Sequence, residues 1–181
     1  MNNINVFTGP MKSGKTGTII QTAHSLINSV ENLKVFKPVI YDRFSTDFVQ
    51  DRNGNKINAI NINKIDDIEN YEADSYVIDE FQFLEGNLNI INNLARRGKK
   101  FYIAGLNLTT EKKVFGRMGD IMAASDNVQT FKANCDCCGC SNAIYSYCTA
   151  EKTGDILIGD SQYMPVCSNC YTKLMQEKSR D

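Results

Sequence analysis

Gly9-Pro10-Met11-Lys12-Ser13-Gly14-Lys15-Thr16 sets two glycines with four residues between them and follows them with a lysine and a hydroxyl. That order suits a polyphosphate cradle. Backbone N–H groups of such a turn and the positive end of the helix behind it surround a β-phosphate, the lysine reaches the β/γ oxygens and the hydroxyl faces Mg²⁺. A turn that merely joins strand to helix accounts for Gly9 and Gly14 but not for Lys15 and Thr16 after them. A second centre lies at Asp79-Glu80, behind the apolar run Ser75 to Ile78. A strand-end carboxylate suits a phosphate-bound Mg²⁺ held through water, which makes Asp79 the metal-side acid. Neighbouring residues diverge at a strand end, so Glu80 can face an attacking group and take its proton; the plainer reading is a solvated loop acid. The pair does not name the nucleophile, because ATPases activate water with the same two acids.

The third centre is the cysteines, seven in number and all between Cys135 and Cys170. Cys135-x-x-Cys138-Gly139 and Cys167-x-x-Cys170 have the spacing of a zinc ribbon, whose two tight turns each give two thiolates to a tetrahedral ion. Cys137 and Cys140 form a further x-x pair that spacing leaves open; Gly139 behind Cys138 favours the outer pair. Buried inert thiols are the bland alternative. Four thiolates leave no open coordination position, so the Zn²⁺ is structural. The segment from Cys138 to Cys167, with Tyr145, Tyr147, Gly154, Gly159 and Tyr163, is pinned at both ends and can fold over a substrate, although its tyrosines serve equally as cover for a small sheet.

Alternating elements must position these groups. The sequence predicts a strand at Ile4 to Thr8, a helix over about Lys15 to Val30 with Ile19, Ile20, Ala23, Leu26, Ile27 and Val30 inward, and a strand at Leu33 to Phe36. Tyr41 to Asn55 reads as a long mobile loop. A short strand at Ile57 to Ile62, a short helix at Ile65 to Tyr71, a strand at Ser75 to Ile78, a helix at Leu88 to Arg97, a strand at Phe101 to Ala104 and a helix at Val114 to Ala124 follow. This is an α/β pattern: a parallel sheet wrapped on both faces, with ligands at the carboxyl ends of its strands. Short β-like runs at Ala143 to Tyr147 and Asp155 to Ile158 and a helical tail from Ser168 set the C-terminal part apart. The expected division is 1–131 and 132–181. His24 reads as a polar surface or partly buried residue of the first helix and is given no role.

With 181 residues and 42% hydrophobic side chains the chain can bury one full core plus a small appendage. A net charge of -1, without a basic stripe, speaks against stable nucleic-acid binding. No apolar run reaches spanning length and no export signal is visible, so the expected location is cytoplasmic.

Gly9-Pro-Met-x-Ser-Gly-Lys-Thr16, Asp79-Glu-Phe-Gln-Phe83, Ala104-Gly-Leu-Asn107, Phe115-Gly116 and the two Cys-x-x-Cys pairs, in this order, resemble the zinc-containing type II thymidine kinases over nearly the whole chain. The resemblance implies a RecA-like P-loop domain plus a zinc-bound lasso domain, a homotetramer, and transfer of the ATP γ-phosphoryl group to the 5′-hydroxyl of thymidine. It makes Glu80 the general base and sets Asp79, Phe81 and Gln82 beside the nucleotide. Met11, Phe83, Leu106 and Phe115 would enclose the nucleoside, Ser146 would stand near its base where threonine is common, and Gly159 and Tyr163 would belong to the lasso that bonds it. Arg43 matches the arginine of a loop motif written Asp-x-Arg. Tyr41 replaces that motif's aspartate, Asn107 another aspartate, Thr110 an aromatic, and Phe81 a small residue, which opens a drift toward deoxyuridine or broader pyrimidine use. Two rival readings share the phosphate loop: a zinc-ribbon ATPase acting on DNA or protein, and a nucleotide sensor without transfer activity.

Overall fold

The computed structural model describes residues 3–29, 32–39, 47–150 and 161–178. Arg43, Tyr41, Gly154, Gly159, the run Asp155 to Ile158 and Val30 lie outside them. Strands β1 (Ile4–Thr8), β2 (Leu33–Pro38), β5 (Ile60–Ile62), β6 (Ser75–Ile78), β7 (Lys100–Gly105) and β8 (Asn127–Thr130) form one sheet in the order β5-β2-β6-β7-β1-β8, and every pairing in it is parallel. All six carboxyl ends therefore share one edge. β7 separates β1, which runs into the phosphate loop, from β6, which ends at Asp79.

Neighbouring residues of each buried strand feed opposite faces, as the pleat requires. Val6, Phe36, Ile78 and Ile103 join one cluster with Ile65, Ile68, Ile91 and Ile121. Phe7, Val35, Val77 and Ala104 join the other with Ile19, Ile20, Ala23 and Leu26. Helix α1 (Lys15–Asn28) covers the second face. Helices α2 (Asn89–Arg96) and α3 (Met118–Ala124), with a 3₁₀ turn at Ile65–Asn70, cover the first. A third cluster holds Ala133, Cys135, Ala143, Val166, Cys167 and Tyr171 around the antiparallel pair β9 (Tyr145–Cys148) and β10 (Tyr163–Val166) and helix α4 (Ser168–Lys178).

Four local expectations change. Within the stretch read as a loop, β3 (Phe48–Gln50) pairs with β4 (Lys56–Asn58) as a hairpin. Its turn is tied by Asp51, whose carboxylate accepts from the Asn53 and Asn55 backbone N–H groups at 2.9 Å each. The single strand expected at Ile57 to Ile62 is two, β4 and β5, which belong to different sheets. The helix expected from Val114 starts only at Met118: Gly116 has φ 51 and Val114 bridges back to Leu108, so the chain turns before it coils. Ile27, expected inward on α1, is 51% exposed because it falls off the stripe that faces the sheet.

Candidate active site and cysteine knuckle

At the carboxyl edge, Gly9 leaves β1 with φ 146, and a Cβ there would stand 2.4 Å from the Phe131 carbonyl oxygen. Only glycine lets the loop pass so close to the chain that continues from β8. Gly14, at φ 90, caps α1, which begins at Lys15. Lys15 is 8% exposed, and its Nζ donates to the Pro10 carbonyl at 2.7 Å and to Ser13 Oγ at 3.4 Å. The ammonium is thus folded over the loop that would hold phosphate.

Asp79, 5% exposed at the end of β6, faces the same loop. Burial, and then the charge of Glu80, push its carboxyl up to about 7, against the opposing pull of the Glu80 backbone N–H, Lys15 and a hydrogen bond from the Thr16 hydroxyl. Two segments more than sixty residues apart in sequence have met: Thr16 and Lys15 from the loop, Asp79 from the sheet. A lysine, a hydroxyl and a carboxylate converging at a helix N-terminus can hold a metal-bound triphosphate.

Glu80 has a different partner. Its φ 53, ψ 39 is the left-handed conformation, which costs a residue with a Cβ on the order of 1–3 kcal/mol. Its Oε2 accepts from Gln82 Nε2, and Gln82 Oε1 in turn accepts from the Leu106 backbone N–H at 2.9 Å. Beyond it, Phe83 and Phe115 meet edge to face at 5.3 Å between ring centroids. Glu80, Phe83, Leu106 and Phe115 are each partly exposed. Phe81 is not: it sits fully inside the first hydrophobic cluster, so its side chain serves the core.

The cysteine-bearing part touches the phosphate loop directly. The Met11 N–H donates to Ser146 Oγ on β9 at 3.0 Å, and Lys12 Nζ pairs with Asp136 at 2.9 Å. Tyr163 opens β10 opposite Cys148. Cys135, Cys138, Cys140 and Cys167 have sulfurs within 4.8 Å of one another, and Cys135, Cys137 and Cys170 form a second such group. Cys170, from the expected set, therefore stands beside Cys135 and Cys137, while Cys140 stands with the other three. The knuckle is built for thiolate. Burial opposes ionisation of Cys135, but backbone N–H groups of Cys167, Cys138 and Cys137 outweigh it and bring its thiol down to about 6. Such a sulfur cage fits a tetrahedral zinc ion.

Three participants escaped sequence reading. Lys37, at the end of β2, lies within Coulombic reach of Asp79, and burial lowers its pKa. Asp136 sits between two cysteines with nothing in its neighbourhood to announce Lys12 as its partner. Lys112 lies over the rings of Tyr145 and Tyr171 at 4.0 and 4.1 Å, and the Tyr171 hydroxyl donates to the Thr110 carbonyl at 2.7 Å. Tyr171 lies on α4, the helical tail expected from Ser168, and that tail returns to the segment that carries Thr110. Among the described residues, no helix is long and apolar enough to cross a membrane.

Comparison with known proteins identifies the family. A family model described as thymidine kinase matches residues 2–171. Two relatives named thymidine kinase, from two strains of Bacteroides fragilis, are each 33% identical over 178 residues, covering 96% of this chain and 89% of theirs. A solved structure of a DNA replication initiation factor superposes with a TM-score of 0.45 at 13% identity, covering 72% of this chain and 40% of that one. The family model spans residues that include the phosphate loop and the cysteine knuckle, and this chain belongs to the thymidine kinase family of enzymes.

Proposed function

We propose that this kinase transfers the γ-phosphoryl group of ATP to the 5′-hydroxyl of thymidine or deoxyuridine, giving dTMP or dUMP for DNA synthesis by salvage. The observation that carries the reading is that the two acids have different partners: Asp79 takes a hydrogen bond from Thr16 and feels Lys15, whereas Glu80 takes one from Gln82, whose amide reaches the Leu106 backbone. In this reading residues 9–16 cradle the triphosphate, Asp79 and Thr16 hold Mg²⁺, and Arg43, outside the described residues, belongs to the nucleotide side. The ion, when bound, neutralises charge on the transferring phosphoryl group. Glu80 accepts the hydroxyl proton as the 5′-oxygen bonds to the γ-phosphorus and the bond to the bridging oxygen of ADP breaks.

Met11, Phe83, Leu106 and Phe115 enclose the nucleoside, with Ser146, Tyr163 and Gly159 on the lasso side. Of the departures from the family pattern, Asn107 and Thr110 both lie in the segment leading to Phe115, so base choice rather than phosphate chemistry is where they act. Zinc on Cys135, Cys138, Cys167 and Cys170, with Cys140 adjoining, ties the lasso part, 132–181, to the nucleotide part, 1–131. We place the enzyme in the cytoplasm, where thiols stay reduced, and expect a homotetramer, which light scattering measures.

One experiment tests the reaction. Pure protein is incubated with γ-labelled ATP, Mg²⁺ and a panel of nucleosides or single-stranded DNA, and the label is followed. Label in dTMP or dUMP supports the proposal; label only in inorganic phosphate, stimulated by DNA, means an ATPase, and no turnover with ATP bound means a sensor. Glu80→Gln should keep ATP binding and lower transfer by about two to four orders of magnitude.

A further inference from the structure

We propose that Gln82 is a positioning residue for transfer: its side-chain amide fixes the Glu80 carboxylate and anchors it to the backbone at Leu106. The inference rests on Glu80 being the general base. Gln82 is 2% exposed, so its amide needs protein partners, and it has one on each side. The Leu106 N–H can only donate, so Oε1 must face it; Nε2 is then left facing Glu80 Oε2. The amide cannot flip without losing both bonds. It is boxed as well. A Cβ on Gly105 would come within 2.7 Å of Gln82 Oε1, and one on Gly116 within 2.1 Å of the Gln82 carbonyl oxygen. Both glycines admit a side chain and backbone that nothing larger would leave in place.

The consequence lies in what the amide does to an otherwise loosely held acid. Glu80 follows the last residue of β6 by two positions, sits at positive φ and is partly exposed. Rotation of its side chain would carry the carboxylate away from an acceptor hydroxyl. Gln82 holds one oxygen and leaves the other for the substrate. The same amide links β6 to the end of β7, so a shift at Leu106, on the nucleoside side, is felt at the base. Gln82 thereby works through Glu80, whereas a nucleotide-binding role would make it work through ATP.

A double-mutant cycle separates these roles. Gln82→Met keeps the volume and removes both hydrogen bonds; Gln82→Glu keeps an acceptor for Leu106 and removes donation to Glu80. Each is measured alone and with Glu80→Gln, for kcat, for KM of ATP and thymidine, and for thermal melting. Expected is a fall in kcat of about 10- to 100-fold in both variants, the scale of a misplaced catalytic group. KM for ATP should stay within about twofold, and further loss in the Glu80→Gln background should be under about threefold. Full additivity with Glu80→Gln, or a loss confined to KM for ATP, overturns the inference. So does a fall in kcat for Gln82→Met without one for Gln82→Glu, because then the Leu106 bond alone matters. Wild-type turnover in Glu80→Gln itself overturns the general-base reading and this one with it; impaired Glu80→Gln with additive Gln82 variants overturns only this one.

Discussion

The backbone N–H of Met11 donates to the hydroxyl of Ser146, 135 residues further along, at 3.0 Å. With the Lys12–Asp136 pair at 2.9 Å, it fastens the phosphate loop to the cysteine-bearing part at two adjacent residues. Asp136 follows Cys135, so the proposed zinc ion, by screening thiolate repulsion in the knuckle, would also support the loop. Chelation of zinc should weaken ATP binding about tenfold, equivalent to roughly one net hydrogen bond. Titration of metal-free and zinc-restored protein with a fluorescent ATP analogue measures it; equal affinities would sever the link between knuckle and loop.

A second tie joins the knuckle side to the loop after β7. Lys112, itself at φ 60, spans Tyr145 and Tyr171, and Tyr171 bonds the Thr110 carbonyl. Tyr171→Phe should cost about 1 kcal/mol of stability through the lost hydrogen bond, and Lys112→Ala about 0.5–1 kcal/mol. Because both act on one contact, the double variant should lose less than the sum. Denaturant melts of the four proteins give the coupling, and strict additivity would mean the two residues act separately.

Asp79 makes stability depend on pH in a direction opposite to most carboxylates. Its carboxyl is raised from 3.8 to about 7 in the folded state, chiefly by burial, so between those values the native protein binds more protons than the unfolded chain. This contribution to stability is therefore largest below about pH 4, falls as pH rises to about 7, and is flat above. Asp79→Asn should remove that slope and raise the stability of nucleotide-free, Mg²⁺-free protein at pH 8, by a few kcal/mol at the upper limit. Melting curves from pH 5 to 8 decide it; identical slopes in the two proteins would show that Asp79 ionises freely.

How much of this the sequence disclosed depends on whether the signal is local. The phosphate loop, β6 and the acids after it are legible because glycine spacing and a four-residue buried strand are contained in short stretches. The parallel sheet follows from alternation of strand and helix. β8 was not legible, since all four of its residues are exposed at the sheet edge and carry no apolar period. Strand β3 hid within a polar stretch whose order comes from the Asp51 turn rather than from hydrophobicity. At the site, Gln82 was readable only as part of a motif; its commitment to Glu80 and Leu106 depends on strands β6 and β7 lying side by side. The thiol set shows the same limit. Spacing favours Cys170 as fourth ligand, whereas folding also brings Cys140 within reach of Cys135, Cys138 and Cys167.

The segment after Leu106 folds back on itself: Leu108 bridges Val114, and the Phe115 N–H donates to the Asn107 carbonyl at 3.1 Å. This closed loop carries the Phe115 ring to the Phe83 ring with the planes at 80°. Phe83 leaves the 3₁₀ turn that starts one residue after Glu80, so the aromatic pair and the base are fixed to the same short stretch. If that pair forms a wall of the nucleoside pocket, shortening it should act on thymidine and spare ATP. Phe115→Ala removes the ring and also the packing of Phe83 against it, an aromatic contact worth about 0.5–1.5 kcal/mol beyond the area it buries. The expected outcome is a rise in KM for thymidine of about 10- to 100-fold with KM for ATP changed less than about threefold. Phe83→Leu, which keeps apolar volume, should raise it less. Steady-state kinetics with each substrate varied in turn provides the measurement, and equal increases in both KM values would place the aromatic pair outside the nucleoside pocket.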